Sequence, residues 1–213
     1  VSCKTLLHGR PLFSRLSFTS RHISSNALIS SPIDRTHTAV PRFNTSVMGH
    51  LAKGSILCSH GESVVHVAVC SKTPIGAGEN FLPLTVDYKS RFSGLGKIPT
   101  NNNRRERHGT DEEILASRVI DRSVRPLFPK DFRDDTQITT TAHAIDGVSD
   151  PIVLGVNAAS CALLQAGLPW SGPVGCVRVG RVDGELIVNP SMEQLENSTL
   201  DLLYTGTNHR TIM

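Results

Sequence analysis

Between Gly54 and Cys70 the chain carries two apolar runs, Gly-Ser-Ile-Leu-Cys-Ser-His and Glu-Ser-Val-Val-His-Val-Ala-Val-Cys, joined at His60-Gly61. Short runs rich in β-branched residues on either side of a glycine turn predict a β-hairpin. The second run is apolar at both odd and even positions, which predicts a central strand in a sheet covered on both faces. A chain with this hairpin must build a sheet, and the remaining segments are read by how they join it.

Phe81 to Tyr88 predicts another strand, followed by a long polar connection from Lys89 to His108. A connection of that length inside a compact domain is functional or disordered. Thr110-Asp111-Glu112-Glu113 has the spacing of a capping box, so a helix is expected from Asp111 to about Val124, stopping before Pro126. A strand is expected near Gln137 to Ile145, and a mostly apolar helix from Ile152 to Gln165 that ends at Gly167. A last hairpin pairs Gly175 to Val182 with Glu185 to Val188 through Asp183-Gly184, and Leu200 to Thr205 reads as one more strand. Sheet dominates, with helices packed on it. The fold class is α/β of the α+β kind, a mixed sheet with packed helices.

No apolar run approaches the roughly 18 residues that would cross a bilayer, so no membrane insertion is expected. The five cysteines form no C-x-x-C pair, and four of them (Cys58, Cys70, Cys161 and Cys176) sit among apolar residues and read as buried thiols. The nine histidines show no H-x-x-x-H or H-x-E spacing, and no structural metal is expected. The net charge of +3 says little, but its distribution says more: Lys89 to Arg133 holds 11 of the 22 Lys and Arg residues against six acids.

The first 33 residues carry Lys4, Arg10, Arg15 and Arg21, many serines, and no acid before Asp34. That composition is expected of a mitochondrial or plastid transit peptide, and a disordered basic tail is the alternative. Residues 1–43 are read as this tail and residues 44–213 as the folded domain. The start at Val1 and the stop at Met213, directly after a strand, are expected to be the ends of a piece of a longer chain.

Candidate chemistry lies in the basic segment. Arg104-Arg105 fall in the long connection, and Arg118, Arg122 and Arg125 recur at spacings of four and three on the helix after it. Guanidinium groups bind phosphates bidentately, so a loop pair beside an arginine stripe suits a polyanionic backbone. The stripe equally fits a solvated face on which Asp111, Glu113 and Asp121 pair with the arginines. Gly76-Ala77-Gly78 lacks the third glycine of a dinucleotide fingerprint, and Gly94-Leu95-Gly96-Lys97 lacks the spacing of a nucleotide-phosphate loop. No G-x-S-x-G elbow is present.

Five ordered motifs carry a resemblance. Phe81-Leu-Pro-Leu-Thr-Val-Asp-Tyr88, Gly96-Lys-Ile-Pro-Thr100, Arg104-Arg-Glu106, Ile120-Asp-Arg-Ser-Val-Arg-Pro-Leu-Phe-Pro129 and Trp170-Ser-Gly-Pro-Val-Gly175 closely resemble the polynucleotide phosphorylases. The match is to the first of their two RNase PH-like core domains and covers about residues 48 to 213. It implies the RNase PH-like version of the ribosomal protein S5 domain 2-like fold. It also implies a trimeric ring that degrades RNA from its three-prime end with inorganic phosphate, in mitochondrial or plastid forms. The Ile98-Pro-Thr-Asn101 context resembles the mitochondrial forms more closely. Magnesium and inorganic phosphate are implied for the complete enzyme. The family's channel loop of two aromatics and two arginines falls on Asn102, Asn103, Arg104 and Arg105. The arginines are kept, but asparagine in place of the aromatics removes about 1–3 kcal/mol of stacking per base.

The resemblance further implies that catalysis lies elsewhere. Aligning Asp201 with the second of the family's two catalytic acids puts Leu195 and Leu203 at the partner acid and the lysine, and leucine neither ligates a metal nor moves a proton. The phosphate-binding stretch falls on Asp146-Gly-Val-Ser-Asp-Pro151, where Asp150 is expected to repel phosphate. The leading expectation is therefore a first core that grips RNA and builds the ring, with the second core, the helical linker and the KH and S1 modules outside these residues. A non-catalytic exosome-like ring subunit that binds RNA is the alternative, and a small-molecule enzyme finds no supporting motif. The isolated chain is expected to be poorly soluble or oligomeric, because a lone core exposes surfaces meant for its partners.

Overall fold

The computed structural model describes residues 40–45, 47–73, 81–98 and 109–213. The hairpin expected between Gly54 and Cys70 forms as β2 (Gly54–His60) and β3 (Ser63–Lys72), antiparallel, with His60 opposite Ser63 and Gly61 at φ +59° in the turn. A short strand, β1 (Arg42–Thr45), pairs antiparallel with β2 and begins two residues before the expected start of the domain. β4 (Leu84–Ser90) and β5 (Asp135–Ala144) complete a five-stranded sheet in the order β1-β2-β3-β5-β4, in which only the β4–β5 pair is parallel.

β4 starts three residues later than expected. Pro83 has no N–H for the ladder, so the chain enters the sheet only at Leu84, after the Pro83 carbonyl has accepted from Thr136 N at 2.9 Å. α1 (Asp111–Val124) crosses from β4 to β5 and is started by the expected capping box: Thr110 Oγ1 accepts from Glu113 N at 3.2 Å, and Glu113 Oε2 accepts from Thr110 N at 2.9 Å. Glu113 Oε1 also accepts from Ser90 N at 2.7 Å, so one carboxylate caps the helix and fixes the end of β4.

α2 (Pro151–Gln165) lies on β2 and β3 and touches α1, and Gly167 at φ +65° follows its end. Between helices and sheet sits the core, with Val65, Val67, Val69, Ile120, Val124, Ile138, Val156 and Leu163 fully enclosed. Among the described residues only one sheet face is covered in this way. On β3 the alternate residues Val64, His66 and Ala68 are half-buried and Cys70 is exposed, which corrects the expectation of a strand covered on both faces. Periodicity could not show this, because valines and alanines on an open face look the same in sequence as those on a closed one.

A second, three-stranded sheet runs β7-β6-β8, built from β6 (Gly175–Val182), β7 (Glu185–Val188) and β8 (Asp201–Gly206), antiparallel throughout. Its hairpin turns at Asp183 (φ +51°) and Gly184 (φ +86°), as the Asp-Gly pair requires. The Asn157 side chain on α2 donates to Cys176 O at 3.0 Å and accepts from Cys176 N at 2.8 Å, which joins this sheet to the main body. A short helix, α3 (Met192–Glu196), capped by Ser191 and Gln194, leads into β8.

Two of the cysteines behave as expected. Cys58 and Cys176 are buried, and burial pushes both thiols up to about 12. Cys161 is half-buried, but Cys70 stands exposed near the end of β3, a correction to its reading as a buried thiol. Among these four, Cys70 is expected to react with a thiol reagent within minutes in the native protein, whereas Cys58 and Cys176 react only after denaturation. Mass spectrometry of the labelled peptides checks this.

Candidate nucleic-acid interface

α1 presents Arg118 and Arg122 one turn apart, both exposed, and neither forms an ion pair with a described residue. Ile114 and Leu115, at 50% and 60% exposure, lie on the same outward side one turn earlier. Apolar side chains beside unpaired guanidiniums suit a ligand that offers both charge and flat apolar surface, as single-stranded nucleic acid does.

Arg125 stands apart from this pair. Its guanidinium is bound by Asp121, with Nε at 2.9 Å and Nη2 at 2.6 Å, and it donates further to the carbonyls of Leu82 at 3.2 Å and Leu84 at 3.0 Å. Those bonds tie the end of α1 to the start of β4. The three arginines at spacings of four and three thus differ in their pairing: Arg125 is ion-paired, and Arg118 and Arg122 form no ion pair with a described residue. The solvated-face reading holds for Arg125 with Asp121, while Glu113 is already spent on Thr110 and Ser90. Asn102, Asn103, Arg104 and Arg105 lie outside the described residues.

A second polar cluster joins the two sheets. Arg178 on β6 donates from Nη1 to Asp150 Oδ2 at 2.7 Å, and from Nε and Nη2 to the two Asp201 oxygens, each at 2.7 Å. The Asp150 carboxylate also caps α2, accepting from Ile152 N at 2.8 Å. Hydrogen bonding from Arg178 holds the Asp201 carboxyl below its usual range, and the bond to Asp201, reinforced by Asp150, holds Arg178 firmly protonated. Asp150 was expected from the sequence to repel an anion; in the structure it shares the single guanidinium of Arg178 with Asp201, so the three side chains together keep a net negative charge. The signal for Arg178 was present, since in β6 it shares the inward parity of Cys176 and Gly180.

In the loop before α2, the Asp146 carboxylate accepts from Val148 N and Ser149 N, both at 2.8 Å. Burial raises this carboxyl, and the hydrogen bonds from Ser149, Val148 and Ser63 outweigh that and leave it below its usual range. Ser149 Oγ lies 2.8 Å from His60 Nδ1 and 3.4 Å from Asp146 Oδ2. The carboxylate meets the serine rather than the histidine, so the trio ties a loop to the β2–β3 turn and is not arranged as a serine–histidine–aspartate triad.

The donor set does not fit the magnesium implied for a complete enzyme. Of the three aligned positions only Asp201 offers oxygen ligands, and both already accept from a guanidinium. Leu203 is half-buried and packs against the core, and Leu195 is half-buried on α3. Among the described residues no group of three or more His, Cys, Asp or Glu side chains is placed to hold a metal ion, and no helix is long and apolar enough to cross a membrane.

A helix-covered mixed sheet with a smaller sheet docked beside it is the architecture of RNase PH-like domains. Solved structures share it, two of them as follows. Rice (Oryza sativa) Rrp46 superposes with a TM-score of 0.65 at 17% identity, covering 82% of this chain and 78% of its own. A chain of the Archaeoglobus fulgidus exosome, solved with RNA bound to the active site, gives 0.55 at 18% identity. Sequence narrows the class: residues 42–169 match domain 1 of the 3' exoribonuclease family, RNase PH, and residues 172–213 match its domain 2. The chain belongs to this family. Polyribonucleotide nucleotidyltransferases are among its relatives, one from Methylacidiphilum infernorum at 43% identity over 80% of this chain and one from Heliobacterium modesticaldum at 44% over 78%. The chain spans about a quarter of the length of these curated relatives.

Proposed function

We propose that this chain is the first RNase PH-like core of an organellar polyribonucleotide nucleotidyltransferase, and that it grips RNA and helps build a trimeric ring while a second core carries out phosphorolysis. The observation that carries this reading is the pair of exposed arginines, Arg118 and Arg122, neither of which is ion-paired with a described residue, on α1, the helix that follows the Arg104-Arg105 segment. Arg125, committed to Asp121 and β4, serves this interface by fixing the helix rather than by touching RNA. The lack of catalytic power is supported by Asp201, which pairs with Arg178 where a catalytic acid would need to be free. High identity to polyribonucleotide nucleotidyltransferases favours this reading over a stand-alone exosome-like subunit. The acid-free, serine-rich first 33 residues support import into mitochondria, with plastids the alternative.

The test is single-stranded RNA binding by the 213-residue chain at two salt concentrations, with phosphate-dependent release of nucleoside diphosphate measured in parallel. Binding is expected to weaken with salt, and Arg118→Ala with Arg122→Ala is expected to lower the slope of log K against log salt by about 1.4, or about 0.7 per lost phosphate contact. Arg104→Ala with Arg105→Ala is expected to lower it by a similar amount. No diphosphate release is expected. Phosphorolysis by this chain alone would show that catalysis does not need a second core, and salt-insensitive binding would remove the arginines from the interface.

A further inference from the structure

On the open face of the five-stranded sheet, two imidazoles from different strands come together. His66 on β3 and His143 on β5 have ring centroids 5.9 Å apart, tilted by 41°. They meet at an irregularity in the ladder. Thr141 pairs with His66 and Ala142 with Val65, but Val64 pairs with Ala144, so His143 is the extra residue of a β-bulge and has no residue opposite it on β3. The backbone of the 3-10 turn Phe92–Leu95 closes on the same spot: Ile145 N donates to Gly94 O at 3.0 Å, and a Cβ at Gly94 would stand 2.9 Å from Ala142 O and 3.2 Å from His143 O. The main chain of His143 is therefore held in place, while its side chain is exposed and makes no hydrogen bond to a described residue.

Hydrogen bonding decides which His66 nitrogen is available. Ser55 Oγ has one proton and donates it to the Met48 carbonyl, which can only accept. His66 Nε2, 3.0 Å from that same oxygen, must then be the donor, and in the neutral ring the lone pair is left on Nδ1. Ser55 is buried and its N donates to Gln165 Oε1 at 2.9 Å, so the group that orients the ring is itself fixed. Burial, and the neighbouring His143, push the His66 imidazole below its ordinary value, which favours the neutral form near neutral pH. A ring whose N–H is held by a protein oxygen while its other nitrogen is bare is how proteins prepare a histidine for a metal.

We infer that His66 and His143 form a two-histidine site for a divalent transition metal, zinc above all, with water completing the coordination shell. The spacing suits it: with zinc–nitrogen bonds of about 2.1 Å at a tetrahedral angle, two imidazole centroids sit roughly 5 Å apart, and side-chain torsion alone closes the difference from the observed 5.9 Å. Two imidazoles and no carboxylate favour zinc, nickel or copper over the hard cations magnesium and calcium. Cys70 lies on the same side of β3 but four residues along, roughly 13 Å away, too far to join. With two protein ligands the site binds at micromolar strength and exchanges its metal, and the bound ion clips β3 to the bulge of β5. The ligands come from separate strands, so no H-x-x-x-H spacing announces them in the sequence.

Calorimetric titration of zinc chloride into the full 213-residue chain tests this, with His143→Gln as the variant. His143 is exposed, so the variant is expected to keep the parent's thermal midpoint in the absence of metal. The parent is expected to show one micromolar zinc-binding event that His143→Gln loses or weakens by about 100-fold, and magnesium chloride is expected to give no such event in either. Nuclear magnetic resonance of the parent gives a second readout that needs no substitution: zinc is expected to shift the imidazole signals of His66 and His143 together and to leave the His66 Nε2 proton in place. Identical zinc isotherms for parent and variant overturn the inference, because the metal then sits on other side chains. So do His66 and His143 signals that stay unmoved at saturating zinc, or magnesium binding that matches zinc.

Discussion

Gly54→Ala is expected to destabilise the protein by about 3 kcal/mol, seen as a drop of about 1.5 M in the urea midpoint with little change in slope. Gly54 opens β2 opposite Val69 and lies directly beneath α2. A Cβ there would stand 2.2 Å from the carbonyl oxygen of Ala162 and 3.1 Å from the Ala166 Cβ. The near atom is main chain of a helix and cannot swing aside. Relief requires α2 to lift from β2 and β3, which loosens Val156, Ala159 and Leu163 in the core. Interiors are packed too densely to absorb such a shift locally, so the cost appears in global stability. Gly175→Ala is the matched control: a Cβ at that position would meet no atom within 4 Å, and a change within about 0.5 kcal/mol is expected. Equal losses for the two would mean that α2 does not sit as closely on β2 as the structure places it.

Arg178→Met is expected to cost about 2–3 kcal/mol at neutral pH, measured by the same denaturation. The substitution keeps most of the side-chain volume and removes the only charge that Asp150 and Asp201 share. Asp150, with its side chain 8% exposed, is left as an almost buried carboxylate whose remaining partner is Ile152 N. An unmatched charge in that position is expensive. Asp201 is half-exposed, and solvent screens much of its share. The loss has a pH signature. Because Arg178 depresses the Asp201 carboxyl in the folded state, the stabilisation is present above the ordinary carboxylate range, near pH ~4, and disappears as pH falls through the lower folded value. The difference between wild type and variant is therefore expected to shrink in acid. A difference that stays constant from about pH 7 to about pH 3 would mean that lost packing, not lost charge, explains the effect.

Local rules made much of the fold legible. Thr110 and Glu113 bond reciprocally as their spacing demands, and Asp183-Gly184 takes up the left-handed angles of a tight hairpin. The β2–β3 hairpin and α2 follow from short-range pattern in the same way. The remaining elements are set by distant partners or by signals too short to stand out. β1 is four residues long and is held by register with β2, which nothing local announces. α3 does carry a cue, since Ser191 and Gln194 form a capping box, but five residues are too few for a helical period to register. Arg125 shows the limit on the functional side. Its spacing places it with Arg118 and Arg122, and only the position of the Leu82 and Leu84 carbonyls, 43 and 41 residues away in sequence, reveals it as a structural tie.

The strand order β3-β5-β4 also fixes a sequence of events. Among the described strands β4 has a single neighbour in the sheet, β5, with Leu84 lying against Thr136. As the chain leaves a ribosome, β2 and β3 can join at once, because they are adjacent in sequence. β4 emerges next and has nothing to pair with until the crossover helix and the whole of β5 have followed. The Arg125 guanidinium that later grips the carbonyls of Leu82 and Leu84 arrives in that same interval. Vectorial synthesis thus holds an unpaired strand in waiting. The stretch from β4 to β5 is therefore the part of this sheet that waits longest for its partner strand.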